Sequence, residues 1–149
     1  MLLRRVSHLI GATLALCILS SCASVERETA PSRADRPKPG KGLVIFYRER
    51  HFAGSAMGYD ILDNSAPIGG LNNGSFFAYH ATPGKHRFSA VGAASDEKVI
   101  RIEAGKTYYI RGEVQLGLML EIGRPHLTAV TNEEGANAIK DLQRVKRRQ

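Results

Sequence analysis

The sequence predicts a mainly β protein: an antiparallel β-sandwich of roughly seven to nine short strands with one C-terminal helix. Short segments of β-forming residues recur from residue 43 onward, turn residues separate them, and no long helical pattern intervenes. The 149 residues, 43% hydrophobic and 23% charged, are enough for one core. A small β-barrel is the alternative, because the same succession of strands and turns also suits a barrel.

The N-terminal segment, residues 1–21, has the pattern of a lipoprotein signal peptide. Arg4 and Arg5 precede the apolar run Leu9–Leu19, which is shorter than the roughly 20 residues that a membrane-spanning helix needs. Small residues stand directly before Cys22, where a signal peptidase would cleave. In bacterial lipoproteins such a cysteine is acylated, so we expect a lipid on Cys22 to hold the protein to a membrane. The alternatives are an ordinary secretory peptide or a weak anchor, in which Cys22 is only a small residue near the cleavage point.

The position of Cys22 also bears on location and redox chemistry. Cys17 lies within the removed segment, so the mature chain keeps no free thiol and forms no disulfide. Ala23 follows the cysteine, and the Asp that retains many Gram-negative lipoproteins in the inner membrane is absent there. We therefore expect a lipid-anchored protein of the cell envelope, at the periplasmic face of the outer membrane.

A linker is predicted over residues 22–42, ahead of a folded domain over residues 43–149. The linker is rich in Ser, Pro, Gly and charges of both signs, and it has no apolar period. It cannot bury enough apolar surface to offset the entropy lost on ordering. We therefore expect an extended, flexible linker of about twenty residues between the lipid and the domain.

The first strands of the domain are read from apolar runs and turn pairs. Leu43–Tyr47 is uninterruptedly apolar, typical of a strand buried on both faces, and Met57–Leu62 is the second candidate. Asn73-Gly74 is the usual pair for a type I′ turn. It predicts a hairpin in which Ile68–Leu71 folds back on Ser75–Ala81.

The next strands follow two further turns. Thr82–Lys85 has Pro and Gly at the central positions of a type II turn, and it leads into the strand His86–Val91. Glu97–Glu103 and Thr107–Val114 alternate apolar and polar residues around Ala104-Gly105, which predicts a hairpin with one buried face. Two more strand candidates complete the β region: Leu116–Ile122 and Leu127–Val130.

The C-terminal helix is predicted from a capping box and an apolar stripe. Thr131 is followed three residues later by Glu134, and Ile139, Leu142 and Val145 are spaced for one helix face. Gly135 weakens this helix.

Several blocks of the domain carry a resemblance to a known family. They are Phe46–Arg48, Phe52–Ala56, Ile68–Gly74, Pro83–His86 and Ala104–Arg111. The stretch from Val44 to Val130 resembles a bacterial lipoprotein family catalogued as domain of unknown function 2846. The resemblance implies an exported, β-rich lipoprotein and brings with it no activity and no catalytic residue.

The basic excess of the chain lies outside the body of the predicted domain. The formal net charge is +7, but residues 43–139 carry −1 and residues 140–149 carry +4. The sequence of the folded domain therefore does not predict the basic surface that nucleic-acid binding requires. The basic tail suits anionic lipid headgroups or cell-wall polymers, or it is a solvated helix end whose cations offset the helix dipole. Its cations are Lys140, Arg144, Lys146, Arg147 and Arg148.

No residue pattern indicates a catalytic, metal or cofactor site, so we expect a protein that is not an enzyme. His80 and His86 flank the predicted type II turn, but two imidazoles without a third ligand or a carboxylate are more typical of surface histidines. Ser55 lacks the Gly-x-Ser-x-Gly context of a nucleophile elbow. Asp60 and Asp63 stand at a strand end, where solvated turn-forming carboxylates outnumber acid–base pairs.

The candidate binding loop follows the first strand and covers Arg48–Ser55. Arg48 and Arg50 offer forks for carboxylate or phosphate, and His51 and Phe52 add an imidazole and an apolar anchor. In the alternative interpretation, Phe52 plugs the end of the sandwich while both arginines stay in water.

These observations predict a non-catalytic envelope lipoprotein that is anchored to the membrane through Cys22. Its domain would bind a partner protein or a cell-envelope component such as the cell wall. A small periplasmic hydrolase is the alternative, and a concave pocket with perturbed titratable groups would favour it.

Overall fold

The computed structural model of the chain describes residues 36–117 and 123–145, which form nine strands and one short C-terminal helix. Predictions for the signal peptide, Cys22 and most of the linker fall outside these residues. The strands are β1 (Gly42–Arg48), β2 (Tyr59–Asp63), β3 (Ala66–Leu71), β4 (Ser75–Ala81), β5 (Gly84–Val91), β6 (Ser95–Ile102), β7 (Thr107–Gln115), β8 (Arg124–Val130) and β9 (Gln143–Arg144), and the helix is α1 (Asn132–Ala138).

The strands form two sheets that are not closed into a barrel, which confirms the sandwich. The first sheet has the order β8-β7-β1-β4-β9 and the second has the order β3-β2-β5-β6. Most neighbours are antiparallel, but β1 pairs with β7, and β4 with β9, in parallel. The first sheet is therefore mixed, because β7 and β9 return to it after the chain has passed through other layers.

β1 is the central strand of the first sheet, and all seven of its residues are buried. Val44 and Phe46 face the core between the two sheets. Leu43, Ile45 and Tyr47 face the opposite side, where the C-terminal segment packs. The predicted double burial of this strand is confirmed, since one face meets a sheet and the other a helix.

Three predicted turns connect different sheets instead of closing hairpins. The chain changes sheet between β3 and β4, between β4 and β5, and between β6 and β7. Gly74, Gly84 and Gly105 do have positive φ, at 72°, 139° and 77°. The hairpins predicted at Asn73-Gly74 and Ala104-Gly105 are nevertheless wrong, because a turn reverses the chain without deciding which layer the next strand joins. Crossing between layers packs the apolar faces of consecutive strands against each other.

The hairpins that do form lie elsewhere. β2 and β3 are joined by Asn64 and Ser65, whose φ angles of 46° and 76° suit a tight reversal. β5 pairs with β6, and β7 with β8. The edges of the two sheets meet where Asp96 of β6 accepts a 2.8 Å hydrogen bond from the backbone N–H of Leu127 in β8.

The C-terminal helix begins as predicted and ends earlier. The Thr131 hydroxyl accepts a 3.2 Å hydrogen bond from the backbone N–H of Glu134, which confirms the N-cap. After Ala138 the chain makes one 3₁₀ turn, Ile139–Asp141, and then becomes extended in β9. The predicted continuation through Val145 is wrong, because the backbone of this segment instead pairs with the free edge of β4.

Two strand boundaries near the β7–β8 connection also differ from prediction. β7 extends to Gln115, and Leu116 lies beyond it outside any strand. The remainder of the predicted strand ending at Ile122 lies outside the described residues. β8 begins at Arg124, three residues ahead of Leu127.

Candidate functional site

The candidate loop lies at one end of the sandwich, which we call the distal end. β1 and its parallel partner β7 run toward this end, and their antiparallel partners β4 and β8 begin there. The distal end comprises the loop of residues 49–58, the turns of residues 72–74 and 92–94, and the facing ends of β7 and β8. The opposite, proximal end is where residues 36–41 lead into β1.

Arg48 is the last residue of β1 and is only 1% exposed. Its guanidinium donates a 2.7 Å hydrogen bond to the carbonyl of Gly54 and another to that of Met57, and it lies 5.7 Å from the centroid of the Tyr59 ring. Burial lowers the pKa of Arg48 from its ordinary value, and arginine nevertheless stays protonated. The expectation that Arg48 stays in water is therefore wrong. The carbonyls of Gly54 and Met57 and the face of the Tyr59 ring take the place of water around the Arg48 guanidinium.

Phe52 has the opposite environment, because 99% of its side chain is exposed. The interpretation in which it plugs the end of the sandwich is wrong. Backbone hydrogen bonds hold the loop around Phe52. The N–H of Ser55 donates to the carbonyl of Phe52 at 3.2 Å, and the N–H of Met57 donates to that of Gly54 at 3.0 Å. Together with the two bonds from Arg48, these bonds hold the loop in a defined shape around an exposed ring.

The remaining two predicted residues lie on the outside of the loop. Arg50 is exposed, and its methylene groups run over Gly74, where an added Cβ would lie 2.5 Å from the Arg50 Cγ. His51 is also exposed, and its backbone N–H donates a 2.9 Å hydrogen bond to the Asn73 side chain. The structure thus brings Arg50, His51 and Phe52 together at the surface and separates Arg48 from them.

A cleft of about 430 Å³ adjoins the loop where β2 begins. Glycines line much of it, namely Gly58, Gly70 and Gly92, and Asp60 and Asn72 add polar groups. The Asn72 amide lies against Gly58, where an added Cβ would come within 2.6 Å of its oxygen. Sequence reasoning missed this cleft, because its walls come from strands that are far apart in the chain.

A buried polar cluster lies toward the proximal end, and it changes the interpretation of His86 and Asp63. Both residues are 6% exposed, and His86 Nδ1 lies 2.7 Å from one carboxylate oxygen of Asp63 and 2.8 Å from the other. The Tyr79 hydroxyl donates to Asp63 at 2.8 Å. The expectations of a surface histidine and a solvated carboxylate are wrong. The signal was available, because His86 shares the two-residue period of the inward-facing Phe88 and Ala90.

The second ring nitrogen of His86 determines what this cluster can do. His86 Nε2 lies 2.8 Å from the carbonyl oxygen of Thr82, which only accepts hydrogen bonds, so Nε2 carries a hydrogen. Nδ1 lies within hydrogen-bonding distance of both oxygens of the Asp63 carboxylate. Both ring nitrogens of His86 therefore have hydrogen-bond partners within the protein.

The sequence also singled out His80 and Ser55, which lie in other surroundings. His80 Nε2 lies 3.0 Å from the carbonyl oxygen of Arg36, so the two histidines have different partners. Ser55 is exposed on the loop. Within residues 36–117 and 123–145, no group of three or more His, Cys, Asp or Glu side chains is placed to hold a metal ion.

Among the helices of the described chain, none is long and apolar enough to cross a membrane.

Comparison with known protein families gives a match over the domain. A family model described as "Protein of unknown function (DUF2846)" matches residues 38–123, which covers β1 through β7 and more than half of the chain. No curated protein and no solved structure matches.

Proposed function

Because the chain belongs to the DUF2846 family of proteins of unknown function, we propose its function from its own geometry. We propose a non-catalytic module of the cell envelope, held by a lipid on Cys22, whose Arg48–Ser55 loop binds a partner protein or an envelope component. The loop carries the proposal, because a buried arginine braces it while its one aromatic side chain is 99% exposed.

The physical argument concerns two side chains in unfavourable surroundings. A guanidinium loses water when it is buried, and Arg48 forms no ion pair among the described residues to offset that cost. A phenyl ring leaves apolar surface in water when it is exposed. The buried arginine and the exposed ring are both explained if the loop already has its binding conformation before a partner arrives. Such preorganisation reduces the entropy lost on binding.

The residues then have distinct roles in the proposed site. Phe52 is the anchor that a partner covers, and Arg50 and His51 form the polar rim around it. Arg48 touches no partner and acts by holding the loop. The direction of the chain agrees with this arrangement. The lipid-bearing linker would join β1 at the proximal end, whereas the Arg48–Ser55 loop lies at the opposite end of the domain.

Binding is favoured over hydrolysis by the state of the polar groups. The buried histidine that has a carboxylate partner also has its second nitrogen on a backbone carbonyl, so it is not placed to accept a proton from a nucleophile. Ser55 has no histidine partner within the described residues.

Crosslinking in intact cells tests this proposal through Phe52→Ala. Hot-spot residues are worth about 2 kcal/mol or more, so recovery of the crosslinked partner should fall at least about ten-fold. Thermal stability should be unchanged, because an exposed ring contributes little to folding. Val99→Ala is the matched control, since Val99 is 45% exposed on β6. Equal recovery from wild type and Phe52→Ala would refute binding through this loop.

A further inference from the structure

We propose that the distal end docks on an anionic lipid bilayer, with Phe52 entering the interfacial layer and Arg50 and Arg124 on the headgroups. This inference rests on the proposed function, whose loop it uses, and it names lipid as the envelope component. It also adds to the site the ends of β7 and β8, which no sequence pattern connected with the loop.

The apolar part of this surface comes from two chain segments that touch. Phe52 is 99% exposed and Leu116, just after β7, is 52% exposed. An added Cβ on Gly123 would lie 2.9 Å from the Met57 sulfur and 3.0 Å from Leu116 Cδ2, so the end of the loop meets the residue after β7 and the residue before β8 there. Phe52 and Leu116 therefore belong to two segments that meet at the distal end.

The basic part comes from two arginines at the same end of the sandwich, one over the start of β4 and one at the start of β8. Arg50 and Arg124 are both exposed, and neither forms an ion pair within the part of the chain that the structure describes. Two carboxylates among the described residues of this end, those of Glu49 and Asp60, are only partly exposed. An apolar tip with cations beside it is the arrangement by which proteins attach to the interface of an anionic membrane.

Two arguments favour a bilayer over a second protein. Phe52 protrudes fully, and a fluid interface accepts a protruding ring without needing a matching pocket. The proposed lipid on Cys22 would also keep a bilayer within reach. The fourteen linker residues from Cys22 to Asp35, which precede the described part of the chain, would reach at most roughly 50 Å, whereas the seven residues of β1 span roughly 23 Å. The distal end can therefore turn toward the anchoring membrane, where tethering raises the effective concentration to the millimolar range.

Vesicle binding of the unlipidated chain, residues 23–149, tests the basic part. This chain contains every residue of the described fold. It should bind vesicles of phosphatidylglycerol and phosphatidylcholine, but not vesicles of phosphatidylcholine alone. Arg50→Ala with Arg124→Ala should lower the partition coefficient about 25-fold, because each basic residue near such a surface contributes about five-fold. Lys85→Ala with Arg101→Ala is the matched control, since both are exposed and pair in register near the proximal end.

A single tryptophan tests the apolar part, because the native chain has none. The emission of a Phe52→Trp variant should shift to the blue and become shielded from an aqueous quencher when the anionic vesicles are added. A Val99→Trp variant, with its reporter in the middle of β6, should do neither.

The outcomes separate this inference from the proposed function. Loss of binding in the distal double variant alone, together with the spectral shift at position 52, supports docking of the distal end. Equal losses in both double variants, or no shift at position 52, would overturn it. A protein crosslink that depends on Phe52, without vesicle binding, would overturn the lipid inference and leave the proposed function standing.

Discussion

Two tyrosine hydroxyls, those of Tyr47 and Tyr59, are buried without a hydrogen-bond partner among the described residues. The Tyr59 hydroxyl lies against Gly112, where an added Cβ would come within 2.1 Å of its oxygen. Burial raises the pKa of Tyr59 above its ordinary value, and burial together with the charge of Glu134 raises the pKa of Tyr47 to about 12. Both rings fill the core, whereas their hydroxyls lose water without compensation.

We expect Tyr59→Phe to raise the free energy of unfolding by about 1 kcal/mol, because it removes an unsatisfied buried hydroxyl. Urea titration at neutral pH measures this. Tyr79→Phe is the control and should destabilise by about 1.5 kcal/mol or more, since its hydroxyl donates to the Asp63 carboxylate at 2.8 Å. Similar losses in both variants would show that the Tyr59 hydroxyl has a partner.

The Tyr59→Phe substitution should also change how the stability of the protein depends on pH in the alkaline range. A tyrosine whose pKa is higher in the folded state contributes stability that is complete below pH 10, the ordinary value, and is lost as the pH rises toward the folded pKa. The stability of the wild type should therefore decline above pH 10. The decline should be shallower in Tyr59→Phe.

Among the secondary-structure elements, α1 contains a residue that weakens the helix itself but allows it to pack closely on the sheet. Gly135 lowers the intrinsic stability of this helix, but an added Cβ at that position would lie 2.2 Å from Cγ of Tyr109 in β7. The helix approaches the sheet closely at this point, so Ile139 and the following Leu142 reach the apolar cluster on the outer face of β1. Arg111 adds a 2.9 Å ion pair to Glu134 at the N-terminal end of the helix.

We expect Gly135→Ala to destabilise the protein by about 1–3 kcal/mol, because the added methyl overpacks the contact with Tyr109. On an exposed helix the same change would stabilise by about 1 kcal/mol, so the sign of the effect is the test. Glu133→Ala, at an exposed position of the same helix, should change the unfolding free energy by about 0.5 kcal/mol or less. A stabilised Gly135→Ala variant would mean that α1 does not pack on the sheet as described.

At the scale of the whole molecule, the two ends of the sandwich differ in chemistry. Residues 36–41 lead into β1 at the proximal end, and the buried Asp63–His86 pair lies toward it. The distal end carries Phe52, Arg50 and the glycine-lined cleft. In the proposed function these ends divide two tasks: the proximal end is tethered and the distal end binds.

We expect that removal of the lipidation site releases the protein from membranes without unfolding it. A Cys22→Ala chain exported behind an ordinary cleavable signal should appear in the soluble fraction after a high-salt wash, which also removes electrostatic attachment of the distal end. Cys17→Ala in the native signal is the control and should remain with membranes. Cooperative unfolding of the released chain should be retained, since the described contacts lie within residues 36–145. Persistent sedimentation of the Cys22→Ala chain would refute the lipid anchor.

The sequence by itself determined the family, the mainly β class, the double burial of β1 and the cap at Thr131, because each depends on local patterns of side chains. Only the tertiary structure decided which strands pair, since the partners of β1 are β4 and β7, which lie far along the chain. It also decided that Arg48 is inside and Phe52 outside, against simple hydrophobicity. The physical reason is that a guanidinium can be buried where carbonyls converge on it, and those of Gly54 and Met57 converge only once the loop has folded.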